Sequence, residues 1–243
     1  HPDGEQKIAY GQLVETAAEM DIPGDVKLKD NASLHLVGTK IGHWDGPEIV
    51  TGKAIYGFDV RLPNMLFAVI ARCPVFGGQH TSYDDSETLT VPGVRQVVAL
   101  PMSIAVVGNN SWAVIRGRNA LKVTWDEGRQ AALSSEDMRA RAIDGLPAPG
   151  SAADDSIDAL YTMPYEAHAA MEPMNCTAHV HDDVCEIWAP TQNPQEVQRL
   201  VSRMTGISQK NITVHVPLLG GGFGRRLEAD YAVEAAQVSQ IIQ

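Results

Sequence analysis

The chain has 243 residues, 19 basic and 30 acidic, for a formal net charge of −11 at neutral pH. That length holds one large or two modest domains with a real core, and 44% apolar against 20% charged residues excludes disorder and fibrous repeats. The acidic balance argues against binding nucleic acid, the apolar run Met65–Ala71 is far too short to span a bilayer, and three cysteines without CxxC spacing argue against a zinc cage or disulfide scaffold.

Gln6 to Met20 reads as a short amphipathic helix with Ile8, Leu13, Val14 and Ala17 on one side, ended by Pro23-Gly24. A polar stretch follows, so residues 1–49 form an N-terminal helix and linker. Residues 50–130 read as a mixed α+β unit. Strands are expected at Ala54–Gly57, Met65–Arg72, Val94–Leu100 and Ile104–Val107, with a loop opening at Gly77-Gly78. Asn109-Asn110 offers an N-cap for a helix bearing Trp112, Ile115 and Ala120, and Leu121–Trp125 alternates as a strand. Residues 131–156 hold a short helix capped by Ser134 or Ser135 and stopped at Gly145, then a linker rich in Pro, Gly and small residues.

Residues 157–243 form a second unit. A hairpin is expected from Cys176–Val180 and Val184–Ala189 around His181-Asp182-Asp183. Asn193 is a natural N-cap with Pro194 at the first helical position; Val197, Leu200, Val201 and Met204 then recur at helical spacing, and Gly206 closes the helix. A strand with Ile212, Val214 and Val216 on one face runs into Leu219 to Arg226, where the last helix is expected to begin. The chain starts without Met or a signal segment, and its last helical pattern (Glu228, Tyr231, Ala235, Val238, Ile242) is still running at Gln243. Both ends therefore suggest a piece of something longer.

If the strands before the two loops are parallel neighbours, Pro190-Thr191-Gln192 and Gly220–Arg226 leave the same sheet edge, where helix N-termini and ligands gather. Three consecutive glycines permit close backbone approach, Arg225 and Arg226 add two positive charges, and Gln192 offers an amide donor. Together they describe a pocket for an anionic or oxo-rich cofactor. The plainer alternative is a tight strand-to-helix connection, since neither the Walker pattern nor GxGxxG is met. His179 and His181 share a strand face but lack an evident third metal ligand, so they read as surface histidines. Glu166, His168 and Glu172 read as structural hydrogen-bonding groups rather than proton-transfer groups. Trp112, Trp125 and Trp188 read as core, and Asp84-Asp85 and Asp154-Asp155 as solvated loop charges.

Three ordered motifs carry a family likeness: Met171-Glu172-Pro173-Met174-Asn175-Cys176-Thr177-Ala178, Ile187-Trp188-Ala189-Pro190-Thr191-Gln192-Asn193-Pro194, and Gly220-Gly221-Gly222-Phe223-Gly224-Arg225-Arg226. The set resembles the molybdenum-binding large subunit of the xanthine oxidase family, in the isoquinoline 1-oxidoreductase and bacterial aldehyde dehydrogenase branch. Upstream, Thr51-Gly52-Lys53-Ala54, Leu62 to Ala68 and Pro92-Gly93-Val94 resemble that family's α/β hammerhead domain. The resemblance implies an α+β architecture: a hammerhead-like domain followed by the first part of a molybdopterin-binding domain.

The resemblance also implies roles. Gln192 would hydrogen-bond an apical oxo ligand of molybdenum, Phe223 and Gly224 would line the metal pocket, the backbone of Gly222 to Arg225 would lie close to the molybdenum and its pterin, and Gly221 would join them in binding the cofactor. No side chain here would bind the metal directly, and the catalytic base, a Glu, is expected outside these residues. The implied cofactor is molybdopterin in its cytosine dinucleotide form, with iron–sulfur clusters on a small 2Fe–2S partner subunit. The remainder of the large subunit, or a second molybdenum-subunit chain, would complete the site. Leu227 stands where purine-oxidising relatives carry Glu, which favours an aldehyde or an N-heterocycle as substrate. A periplasmic location is favoured over a cytoplasmic one. The alternative is a cofactor-free scaffold or interaction module of the same fold.

Overall fold

The computed structural model describes residues 7–147, 155 and 157–242, and divides into two units, His1–Gly52 and Lys53–Gln243. In the first unit the expected helix over residues 6–20 shrinks to a 3-10 turn at Tyr10–Leu13 and α1 (Val14–Glu19), and a second short helix is α2 (Gly46–Val50). None of its described residues is buried, and Ile8, Leu13 and Val14 face solvent. Helices this short are marginal without tertiary packing, so the amphipathic pattern alone extends no further.

The second unit begins with β1 (Phe67–Arg72), β2 (Gln79–Asp84), β3 (Val94–Ala99), β4 (Ser103–Gly108), α3 (Ser111–Ala120), β5 (Lys122–Asp126) and α4 (Ser135–Asp144). It continues through β6 (Thr177–His181), β7 (Val184–Trp188), α5 (Pro194–Thr205), β8 (Ile212–His215) and α6 (Asp230–Ile241). An antiparallel sheet of order β1-β4-β3 has β4 at its centre, and every residue of β4 is buried. β2 and β5 form a separate antiparallel ribbon with a bulge between His80 and Ser82. β2 falls where a loop was expected, because its Gln-His-Thr-Ser-Tyr-Asp sequence is mostly exposed and shows no apolar alternation. Ala54–Gly57 is likewise no strand: Tyr56 makes a single bridge to Leu218 and a 3-10 turn follows at Gly57–Asp59.

α3 is capped as expected, with Asn110 Oδ1 accepting from the Ala113 N–H at 2.9 Å. Its buried face is not the expected one. Ala113, Val114 and Gly117 are buried, while Trp112 is 68% exposed. The helix lies so close to the sheet that a Cβ on Gly117 would sit 2.9 Å from Val106, so small residues face inward and the indole points out. Trp125 and Trp188 are half-buried. Ser134 caps α4 and Gly145 closes it; most of the expected linker beyond lies outside the described residues.

The third sheet has the order β6-β7-β8. β6 and β7 form the expected hairpin, and β7 and β8 are parallel, linked through α5. Asn193 Oδ1 caps α5 by accepting from the Glu196 N–H at 3.2 Å, and Gly206 ends it with φ +80°. Val180, Cys185, Ile187, Val197, Val201 and Ile212 pack with Ala232 and Ala236 of α6 into the main core. Further along α6, Val238 joins Val98, Leu100, Ala105 and Val107 of the first sheet. One helix thus lies between two sheets. Polar contacts fasten it on both sides: the Ser103 hydroxyl donates to Glu234 at 2.9 Å, Arg72 pairs with Glu234, and Ser239 Oγ accepts from the Val180 N–H at 2.9 Å.

Candidate functional site

The parallel pairing of β7 and β8 sends the 189–193 loop and the 216–229 loop off the same sheet edge. They are tied there by several hydrogen bonds. The Gln192 N–H and the Thr191 hydroxyl both donate to Arg226 O, at 3.1 and 3.0 Å. Arg226 Nη1 returns a bond to Pro190 O at 3.1 Å, and the Tyr231 hydroxyl donates to the same carbonyl at 3.2 Å.

At the centre of this arrangement is a buried ion pair. Arg226 is fully buried, and its Nη2 donates to a Glu172 carboxylate oxygen at 3.0 Å and to Glu172 O at 2.9 Å. Its Nε donates to Gly221 O at 2.8 Å. The Glu172 carboxylate also accepts from the Gly220 N–H (2.9 Å), the Phe58 N–H (3.0 Å) and Asn175 Nδ2 (2.9 Å). A buried carboxylate is tolerable only with such partners. The expectation that Glu172 serves structural hydrogen bonding agrees with this geometry. Its link to Arg226 had no sequence signal, because the two residues are 54 positions apart.

Both arginines were expected to present free positive charge. The structure overturns this. Arg226 is spent on Glu172 and three carbonyls, and Arg225 donates twice to the Asp230 carboxylate, at 2.8 and 2.7 Å. Nor does a helix start at the glycine loop. A 3-10 turn occupies Arg225–Leu227, and α6 begins only at Asp230, whose carboxylate already sits in its first turn. The loop is therefore not a helix N-terminus awaiting an anion.

What the loop does offer is a shaped backbone and one aimed amide. Gly221 and Gly224 have φ of +98° and +96°, and Phe223 takes φ +51°, a strained value for a side chain of that size. The Phe223 ring is 72% exposed beside them. Gln192 Oε1 accepts from the Gly224 N–H at 3.1 Å. Only the amide oxygen can accept, so this bond sets the flip and leaves the Gln192 NH₂ as the donor end of the amide. A Cβ at Gly222 would stand 2.5 Å from Gln192 Oε1, so the amide occupies the space a side chain there would fill. The structure thus brings Gln192, Gly221, Gly222, Phe223, Gly224 and Arg225 together. Next to them a cleft of about 740 Å³ is lined by Phe76, Glu166, His168, Met174, Arg225 and Asp230, among others.

Burial raises the Asp230 pKa, but the hydrogen bonds and charge of Arg225 outweigh it and hold the carboxyl below its ordinary value. The stability this adds is complete above the unfolded carboxyl pKa, about 4, and is lost as pH falls through the lower folded value. The melting temperature is therefore expected to fall more steeply below pH ~4 in the natural chain than in Asp230→Asn. Parallel thermal profiles of the two from pH 5 downward would refute the assignment.

Comparison with known proteins fits the geometry. Residues 136–240 match the molybdopterin cofactor-binding domain family. The isoquinoline 1-oxidoreductase subunit beta of Brevundimonas diminuta is 32% identical over 244 residues, covering 90% of this chain and 31% of the relative. The membrane-bound aldehyde dehydrogenase [pyrroloquinoline-quinone] of Gluconacetobacter polyoxogenes is 28% identical over 271 residues, 98% of this chain and 35% of the relative. The chain thus spans about a third of the length of these curated relatives. In fold it matches the crystal structure of quinoline 2-oxidoreductase from Pseudomonas putida 86, with TM-score 0.65 and 21% identity over 84% of this chain and 33% of that one. Over residues 136–240 the chain matches the molybdopterin cofactor-binding domain family, over most of its length it is similar to molybdenum-binding subunits of the xanthine oxidase family, and its fold agrees.

Proposed function

We propose that this chain forms one wall of the molybdenum–pterin pocket of a hydroxylase that oxidises an aldehyde or an N-heterocycle, with water as the oxygen source. The observation that carries it is the Gln192 amide, its oxygen fixed by the Gly224 N–H and packed against the side-chain-free backbone of Gly222. These residues fit a cofactor that is flat, approaches main chain closely and carries an oxo group. When bound, that cofactor supplies a centre that accepts two electrons from the substrate.

This chain's own residues would do the rest. The Gln192 NH₂ would donate to the oxo group and orient it. Gly221, Gly222 and Gly224 would let the backbone approach, and Phe223, held at an unusual φ, would line the pocket with its exposed ring. Glu172 and Arg226 would set the loop's position from beneath, touching neither cofactor nor substrate. The catalytic base would come from outside these residues. We further propose the cytosine dinucleotide form of the cofactor, electron exit through a small iron–sulfur subunit, and a periplasmic location.

Elemental mass spectrometry of the native assembly containing this chain tests the reading. We expect molybdenum near one atom per copy together with iron, and loss of most of the molybdenum in Gln192→Ala. A complete assembly without molybdenum would leave the scaffold reading. One holding pyrroloquinoline quinone instead, the cofactor in the name of the Gluconacetobacter relative, would equally overturn the proposal.

A further inference from the structure

The face of the third sheet opposite the main core carries a cluster that the cofactor reading does not use. Strand alternation and the hairpin register place Thr177, His179, His181, Glu186, Trp188 and His215 on this face. His179 is directly opposite Glu186, and His181 is two residues along on the same edge. One ligand atom from each of His179, His181 and Glu186 lies within 4.8 Å of the other two. The two imidazole rings are 4.7 Å apart, centroid to centroid. The sequence shows the His pair; its third member becomes visible only when the hairpin register is fixed.

We propose that His179, His181 and Glu186 form a site for a borderline divalent transition ion of the zinc class. Two imidazoles and one carboxylate are a ligand set that zinc accepts, whereas hard cations such as Mg²⁺ and Ca²⁺ prefer oxygen alone. Around zinc, with bonds of about 2.0–2.1 Å, tetrahedral ligand atoms stand roughly 3.3 Å apart. Small side-chain rotations of two exposed imidazoles close that gap.

The scaffold is fixed. Asp182 turns the hairpin at φ +49°, and Asn211 Nδ2 pins the turn by donating to Asp183 O at 3.0 Å. His215, on the neighbouring strand, stacks on Trp188 with centroids 4.8 Å apart and planes at 16°. Its Nε2 lies 3.5 Å from a Glu186 oxygen, and that nitrogen is buried without a hydrogen-bond partner. It can steady the carboxylate from the side, as groups behind a metal-binding carboxylate do. The ion would clamp the edge strand β6 to β7 and keep its fourth position open to water. The thiols do not compete: Cys185 alternates to the opposite face of β7, inside the main core, and Cys176 packs against that core.

Titration of the full chain with Zn²⁺ against a chromophoric chelator tests this. We expect one equivalent bound at micromolar affinity or tighter, weakened about tenfold or more by His179→Asn or His181→Asn and by Glu186→Gln, with unchanged far-UV circular dichroism. X-ray absorption on the natural chain should show only nitrogen and oxygen ligands. Absence of stoichiometric binding, unchanged affinity in the His179→Asn/His181→Asn double variant, or a Zn–S distance of about 2.3 Å would each overturn the proposal.

Discussion

Glu172→Ala is expected to cost about 3–5 kcal/mol of stability. The reason is what stays behind. Arg226 is fully buried, and without the carboxylate its charge has only the carbonyls of Pro190, Glu172 and Gly221. The N–H groups of Gly220 and Phe58 lose their acceptor at the same time. For a unit of this size the melting temperature should fall by roughly 10 °C. Pairing the change with Arg226→Met removes the stranded charge, so the double variant should be more stable than Glu172→Ala alone. A Glu172→Ala melting temperature within about 2 °C of the natural chain would show that the pair does not anchor the loop.

Gly222→Val, in the complete assembly, should lower molybdenum content about tenfold or more while leaving the melting temperature nearly unchanged. The new Cβ would meet Gln192 Oε1 at 2.5 Å and Cδ at 2.8 Å, so the amide has to swing away from the Gly224 N–H. It is the end of a flexible side chain, so the fold loses little; what is lost is the aim of the NH₂. Gly220→Ala is the contrast. Its Cβ would lie 2.3 Å from the Glu172 Cβ and 3.3 Å from Glu172 backbone atoms, so it strains the fold by about 1–3 kcal/mol. Full molybdenum retention and activity in Gly222→Val would remove Gln192 from the proposed pocket.

Much of this was legible in the sequence where the signal is local. Asn110, Ser134 and Asn193 cap their helices because a short polar side chain can reach the free N–H groups two or three residues on. The hairpin and the parallel pair follow from alternation and from the length of the connection through α5. The members of the glycine loop and Gln192 were readable as candidates because of their residue types. Their electrostatics were not. Whether Arg225 and Arg226 point at a ligand or at Asp230 and Glu172 depends on contacts made after the chain folds back on itself. β2 was missed because a polar ribbon has no apolar period to read, and Trp112 because close helix–sheet packing selects small residues over large ones. Glu186 escaped notice for the same reason as the ion pair, since its histidine partners are neighbours only in register.

The Glu172 carboxylate gathers groups spread over much of the sequence, from Phe58, 114 residues before it, to Arg226, 54 residues after. This sets an order of events during synthesis. The β1-β4-β3 sheet and the β6–β7 hairpin can form from neighbouring segments, but the carboxylate does not gain its Arg226 partner until that residue has left the ribosome. Bringing together such distant groups carries a chain-closure cost that short-range contacts do not. The glycine loop is therefore among the last parts to settle, and on the proposed function loading would be the final step of assembly rather than a nucleus for it.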